Sequence, residues 1–359
     1  MLLNTDVVII GGGLSGLSLA HHLQNTGIDY QLFEARPELG GRIKAGGVGH
    51  ENRRGVFDLG PAWFWPGQPR MYELVTRLGL KTFDQFASGT LSYEDEKGDV
   101  FRNQGFASME GSFRIEGGIT GVIQGLHDRL DQERVHLNAP IHSLKQNDAV
   151  EGIAPDGAPL FQAQRVVLAL PPRIAEKISY HPRLPDAATQ ALRSIPTWMA
   201  GHAKVLTVYE TPFWREAGLS GDAMSRFGPM VEIHDATDPI SNMGALFGFV
   251  GVAAEARAGQ EDSLKNAAVD QLVRIFGPKA ENPLELLYQD WAVEVETATK
   301  DDLAPMYEHP TYGLPLSAKN LWDNCLFFGS TEIAPEFGGY LEGALEAAEI
   351  VTAQLTSEG

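Results

Sequence analysis

Gly11, Gly13 and Gly16 stand in G-x-G-x-x-G spacing, followed by Glu34 and then by Gly40-Gly41-Arg42. Each residue type in that series suits a dinucleotide. Glycines, lacking a Cβ, let bare backbone N–H groups approach a pyrophosphate at a helix N-terminus. An acid at the distance of Glu34 accepts hydrogen bonds from the adenosine ribose hydroxyls, and its charge opposes a 2′-phosphate, which argues against NADP. A plain NAD site has no use for a second glycine pair and arginine after the acid. Ala35-Arg36 and Gly41-Arg42 give a longer FAD cationic and backbone contacts to its diphosphate.

Those residues need a strand before the glycines and a helix after them. Val7 to Ile10 form a continuous apolar, β-branched run, the pattern of a parallel strand buried on both faces. Gly16, Leu19, Ala20 and Leu23 fall at i, i+3, i+4 and i+7, one helix face, closed by Gly27 as a C-cap. Leu14 and Ser15 then sit in the turn that starts this helix, and Tyr30 to Phe33 form a second strand that delivers Glu34.

Composition narrows the class. A chain of 359 residues with 43% hydrophobic and 21% charged residues is an ordinary folded protein, long enough for two domains. Acidic residues outnumber basic ones by 47 to 28, a formal charge of -19, so nucleic acid is not an expected partner. The single cysteine, Cys325, excludes an intrachain disulfide and a cysteine-based zinc site and points to a reducing compartment. The opening MLLNTDVVII lacks a basic n-region, and no apolar stretch approaches about 18 residues; a soluble cytoplasmic protein without a membrane span is expected. The ten histidines show no metal-binding spacing, and no G-x-S-x-G elbow is present.

Further motifs follow in order along the chain: Phe57 to Gly60 with Pro61, Ala62 and Trp63; Gly117-Gly118; Val135 to Ile141; Arg165 to Pro172; Lys204-Val205-Leu206 through Phe213-Trp214; Leu326 to Glu332; and Gly338-Gly339-Tyr340-Leu341-Glu342-Gly343. With the opening series, they resemble the flavin-containing amine oxidase family, the monoamine oxidase-like group. The resemblance implies noncovalently bound FAD, with Gly60 to Trp63 beside the isoalloxazine, Ile141 near the adenine, Glu332 on the ribityl chain, and Gly339, Tyr340 and Leu341 at a C-terminal helix tip. Independently, an apolar strand ending near Glu332 and a helix beginning about Tyr340, with Ala344, Ala347, Ala348 and Val351 on its packing side, would aim a helix dipole at a negative charge.

Lys204 interrupts an otherwise apolar strand, and by itself it reads better as a strand-edge lysine reaching solvent. The resemblance gives it the role of holding a water against flavin N5 and aiding reaction with oxygen. By the same likeness Tyr340 is one wall of an aromatic cage that guides the amine. The second wall is Tyr307, with Tyr312 and Trp291 behind it, in a stretch where the chain departs from the family pattern. No cysteine lies near Met306, where some members attach FAD covalently. Only residues 81–112 stand where larger relatives carry a helical insertion over the substrate cavity.

The expected fold is α/β: a Rossmann-like FAD-binding domain with a parallel sheet (1–79, 112–190 and 315–359) interleaved with an α+β substrate domain (80–111 and 191–314). The latter contains an antiparallel sheet, with Ala203 to Tyr209 and Ala245 to Val250 among its strands. The expected reaction is oxidation of an amine by hydride transfer to flavin N5, imine hydrolysis and reoxidation by oxygen to hydrogen peroxide. The alternatives are a flavin desaturase of bulky substrates, resembling protoporphyrinogen oxidase or the carotenoid desaturases, and a non-catalytic flavin-binding protein.

Overall fold

A computed structural model describes residues 2–304, 306 and 308–357. The strand Leu3–Ile10 pairs in parallel with Tyr30–Phe33 on one side and Pro159–Leu168 on the other, at the centre of an eight-stranded sheet. Its alternating side chains feed two different cores. Val7 and Ile9 pack with the helices Leu14–Thr26 and Leu341–Ser357, while Val8 and Ile10 pack with Leu144, Phe161 and Leu192 on the other face. That two-sided burial is why the run is apolar without interruption. Leu326–Phe328 also pairs in parallel with Pro159–Leu168, which brings the C-terminal motif beside the N-terminal glycines.

The second sheet has seven strands in the order Glu285–Asp290, Ala203–Tyr209, Gly244–Val250, Met230–Asp235, Leu219–Ser225, Thr90–Glu94 and Val100–Arg102. Both expected strands are present and pair with each other, antiparallel, with Lys204 opposite Phe249. All pairs are antiparallel except Leu219–Ser225 with Thr90–Glu94. Val205 and Tyr209 face the core under the helix Glu261–Phe276, whereas Leu206 and Val208 face the core containing Phe57, Leu59 and Trp63. Alternation therefore turns Lys204 toward the Phe57 to Trp63 segment of the first half of the molecule.

One boundary differs from the sequence reading. The apolar strand stops at Phe328, and Glu332 lies on a short 3-10 turn, Thr331–Ile333; the last helix starts at Leu341, about where it was expected. Glu342, fully buried in the first turn of that helix, accepts from the backbone N–H groups of Arg70 (3.0 Å) and Met71 (2.8 Å). It thereby satisfies donors that the helix Pro69–Leu78 leaves free at its start. Residues 80–111 hold three short strands and no helix, and two of those strands extend the second sheet. Among the described residues no helix is long and apolar enough to cross a membrane.

Candidate active site

One continuous cavity of about 1150 Å³ lies between the two sheets. It exceeds the volume of about 300–1,000 Å³ usual for a single small-molecule site. At one end it is lined by Gly11, Gly13, Leu14, Ser15, Glu34, Ala35 and Ile141, and at the other by Trp63, Trp65, Lys204, Glu232, Phe249 and Tyr340. Arg36, Gly41, Arg42, Gly60, Pro61, Ala62, Gly339 and Leu341 also face it.

The glycine end is built for a phosphate. No side chain caps the helix Leu14–Thr26 at Gly13, so its first N–H groups open to the cavity. A Cβ added to Gly13 would make only ordinary contact, 3.8 Å from the Gly40 carbonyl oxygen, so the fold itself does not require a glycine there. Gly16 serves a different purpose: its Cβ would lie 2.0 Å from the Gly11 carbonyl oxygen, and it does not line the cavity. The Ser15 hydroxyl donates to the Gly329 carbonyl, joining the two ends of the chain.

Glu34 is buried and accepts from the N–H groups of Gly12 (2.7 Å) and Arg36 (2.9 Å), which fixes its carboxylate at the end of the second strand. Arg36 reaches Glu294 (3.1 Å) and donates to the Gly41 carbonyl (2.9 Å). Arg42 forms a two-pronged pair with Glu332 (2.6 and 3.2 Å), a fully buried carboxylate that stands behind the cavity wall rather than on it. Ser330, also buried and on the wall, has a hydroxyl with no partner. An open helix N-terminus, two arginines and an orphaned hydroxyl along one channel fit the diphosphate and sugar of FAD. The chain's one cysteine, Cys325, packs against the core beneath the first sheet and not on the cavity.

At the other end, Lys204 is 6% exposed and donates to the Gly60 carbonyl. Its ammonium lies 4.8, 5.2 and 5.7 Å from the ring centres of Phe247, Phe249 and Trp63, a cation held by aromatic faces. Burial pushes its pKa down to about 8, with Asp58 opposing and Arg114 adding to the shift. Burial likewise pushes Asp58 up to about 6. The Trp63 indole is locked by its N–H bond to Gln85 (2.8 Å), from the short segment 80–111.

Tyr340 is 37% exposed, edge-on to Trp65 with centres 6.3 Å apart. His309 stacks flat on it, 4.8 Å away and 6° from parallel. Tyr307, expected as the second cage wall, lies outside the described residues. Of its two reserves, Trp291 lines the cavity and bonds to the Leu59 carbonyl (3.1 Å), whereas Tyr312 bonds to Pro196 (2.9 Å) off the wall. Trp65, His309 and Glu232 were not anticipated, and Ser330 fell within the C-terminal motif without a role of its own. For Glu232 a signal existed: it and His234 alternate on one face of Met230–Asp235.

Residues 82–356 match the flavin containing amine oxidoreductase family, and residues 9–78 match the NAD(P)-binding Rossmann-like domain. Among similar proteins are a probable flavin-containing monoamine oxidase A of Dictyostelium discoideum (22% identical, covering 98% of this chain and 97% of that protein) and a putrescine oxidase of Kocuria rosea (22%, covering 99% and 95%). A solved structure of wild-type putrescine oxidase bound to putrescine superposes with a TM-score of 0.82 at 23% identity, covering 99% of this chain and 100% of that one. The family match spans most of the chain and includes Lys204, Glu332 and Tyr340, while the Rossmann-like match covers the glycine turn, Glu34 and Trp63. The chain therefore belongs to the flavin-containing amine oxidoreductase family and is an FAD-dependent oxidoreductase.

Proposed function

We propose that the protein oxidises a small amine at the carbon next to nitrogen. When bound, FAD supplies the hydride acceptor and passes the electrons to oxygen, giving hydrogen peroxide; the imine product is hydrolysed by water. The observation that carries this reading is the single cavity that joins a phosphate-binding helix start to a wall of Lys204, Trp63 and Tyr340. The division into an FAD-binding part (1–79, 112–190, 315–359) and a substrate part (80–111, 191–314) belongs to the same reading, as does a cytoplasmic location, supported by the lone cysteine.

The chain's own groups orient and shield. The rings of Trp63, Trp65, Phe249 and Tyr340 give the amine a dry aromatic approach, in which positioning contributes more than any strong acid or base. Lys204, pinned by the Gly60 carbonyl and three rings, holds a proton and a water at the point where oxygen reacts. Glu34, Arg36 and Arg42 bind the ribose and diphosphate, with Glu332 holding Arg42 in place.

Mixing the purified yellow protein with a panel of amines in the absence of oxygen tests this reading directly. Bleaching of the flavin absorbance by an amine is expected. A flavin that no amine bleaches, but a bulky polyene or tetrapyrrole precursor does, would move the protein to the desaturases.

A further inference from the structure

We propose that segment 291–297 is the cover through which FAD enters and leaves its channel, and that Glu294 is the positioning residue that fastens this cover shut over the bound coenzyme.

The cover is one chain thick. Val295 and Glu296 line the cavity and yet face solvent, Val295 being 72% exposed. Val293, two residues earlier, is 69% exposed, so the middle of the segment gains little from apolar burial. After the 3-10 turn Trp291–Val293 the chain joins no strand. Among the described residues, the backbone of 292–299 bonds only to neighbours within 290–302. Few buried contacts and a backbone bonded only to itself make a stretch that opens at low cost.

Its ends are held. The Trp291 indole donates to the Leu59 carbonyl (3.1 Å), and its backbone N–H donates to that of His202 (3.0 Å). Beyond the other end, Asp302 pairs with Arg173 (2.5 Å) and accepts from the Thr197 N–H (3.2 Å). Between these anchors, and among the described residues, Glu294 is the one tie to the wall that carries the glycine turn. Its Oε2 lies 3.1 Å from Arg36 Nη2 and its Oε1 3.2 Å from Lys44 Nζ, and these two cations flank Gly40-Gly41-Arg42. Gln289 donates to the same Oε1 at 2.8 Å.

Burial pushes the Glu294 carboxyl up, but the bonds from Gln289 and Lys44 and the charges of Lys44 and Arg36 outweigh it and hold it below its usual range. Opening the cover therefore parts one negative charge from two positive ones. Arg36 itself lines the cavity, and its bonds to Gly41 and Glu294 leave N–H groups for the diphosphate. The fastening and the coenzyme thus meet at one guanidinium.

The test follows FAD exchange rather than turnover. Flavin fluorescence reads release on dilution of loaded protein and uptake by apoprotein. In Glu294→Ala both rate constants are expected to rise about 10-fold or more, the size of a lost charged hydrogen bond, while the dissociation constant changes less than either rate. A water-soluble carbodiimide gives the converse, because it condenses the Glu294 carboxyl with the adjacent Lys44 amine into an amide and takes up the water lost. With that amide in place, loaded protein should keep its FAD on dilution and apoprotein should take up none. Lys44→Arg keeps the charge but cannot be coupled, and so reports any effect of the reagent elsewhere. Coupling is done on wild-type protein and decides the matter if Glu294→Ala does not fold. Exchange unchanged in Glu294→Ala would overturn the proposal, as would coupled protein that exchanges FAD freely or absence of the Lys44–Glu294 amide in peptide mass maps. Slower release from Glu294→Ala would also overturn it, since that is the result if Glu294 merely weakens the positive charge facing the diphosphate.

Discussion

Lys204 and His234 pack against the same two rings. The ammonium of Lys204 lies 5.7 Å from the Trp63 centre and 4.8 Å from that of Phe247, and the imidazole of His234 lies 5.5 and 5.4 Å from them. Two cations thus share one aromatic pair. Each is anchored on another side, Lys204 by the Gly60 carbonyl and His234 by the carboxylates of Asp222 and Glu232, one at each ring nitrogen, which hold it as an imidazolium. The aromatic pair therefore links Lys204, proposed above for the oxygen reaction, to the His234 side of the cavity, and disturbing Trp63 should be felt at both.

Replacing Lys204 by methionine should leave FAD bound while slowing reoxidation of the reduced protein by oxygen, on the order of 10²-fold if the lost charge is an electrostatic stabiliser. Stopped-flow mixing of reduced protein with oxygen reads the rate constant. In wild type that constant should fall as pH rises through about 8, where Lys204 loses its proton. Lys204→Met should show no such step; a methionine variant as fast as wild type would remove Lys204 from the oxygen reaction.

Gly13 and Gly16 should respond differently to a single methyl group. Gly16→Ala forces its Cβ against the Gly11 carbonyl and should cost the apoprotein about 1–3 kcal/mol. Gly13→Ala makes only ordinary van der Waals contact with Gly40 and Gly41, so apoprotein melting should stay near wild type while FAD affinity drops. Thermal melts with and without FAD separate the two.

Glu34→Ala removes the acceptor of two backbone N–H groups along with the ribose partner. FAD binding should weaken by about 1.5–3 kcal/mol, the usual size of a lost charged hydrogen bond. Fluorescence titration of apoprotein with FAD measures it, and full retention of FAD through dialysis would count against the assignment.

Truncating Glu332 to alanine strands Arg42, which is only partly exposed, without its two-pronged partner. The apoprotein should lose about 3 kcal/mol, seen as a lower denaturant midpoint at unchanged slope. An unaffected midpoint would mean that Arg42 finds solvent or another acceptor.

The parts of the site that could be read from the chain are those whose partners are near in sequence. The glycine turn and Glu34 are set by a strand, a turn and a helix within one short segment, and Lys204 stands out because charge is costly in an apolar strand. Glu232 was missed because Met230–Asp235 reads as an ordinary strand, and its surroundings on the wall come from Asp222 across the strand pair and Ser108 from a distant segment. Glu332 was placed on a strand end because apolar Leu326–Phe328 runs toward it; Gly329 and Ser330 intervene, and the chain turns before the acid. His309 carries no local pattern at all, since only the fold lays it on Tyr340.

The bond from the Ser15 hydroxyl to the Gly329 carbonyl, and the packing of the first helix against Ala348 and Val351 of the last, set a time for coenzyme loading. A nascent chain still missing those residues on the ribosome has the glycine turn but neither the opposing wall nor the helix that steadies it. Loading that uses both walls therefore waits until translation has passed Val351, so flavin supply acts on this polypeptide only once its last helix has been made.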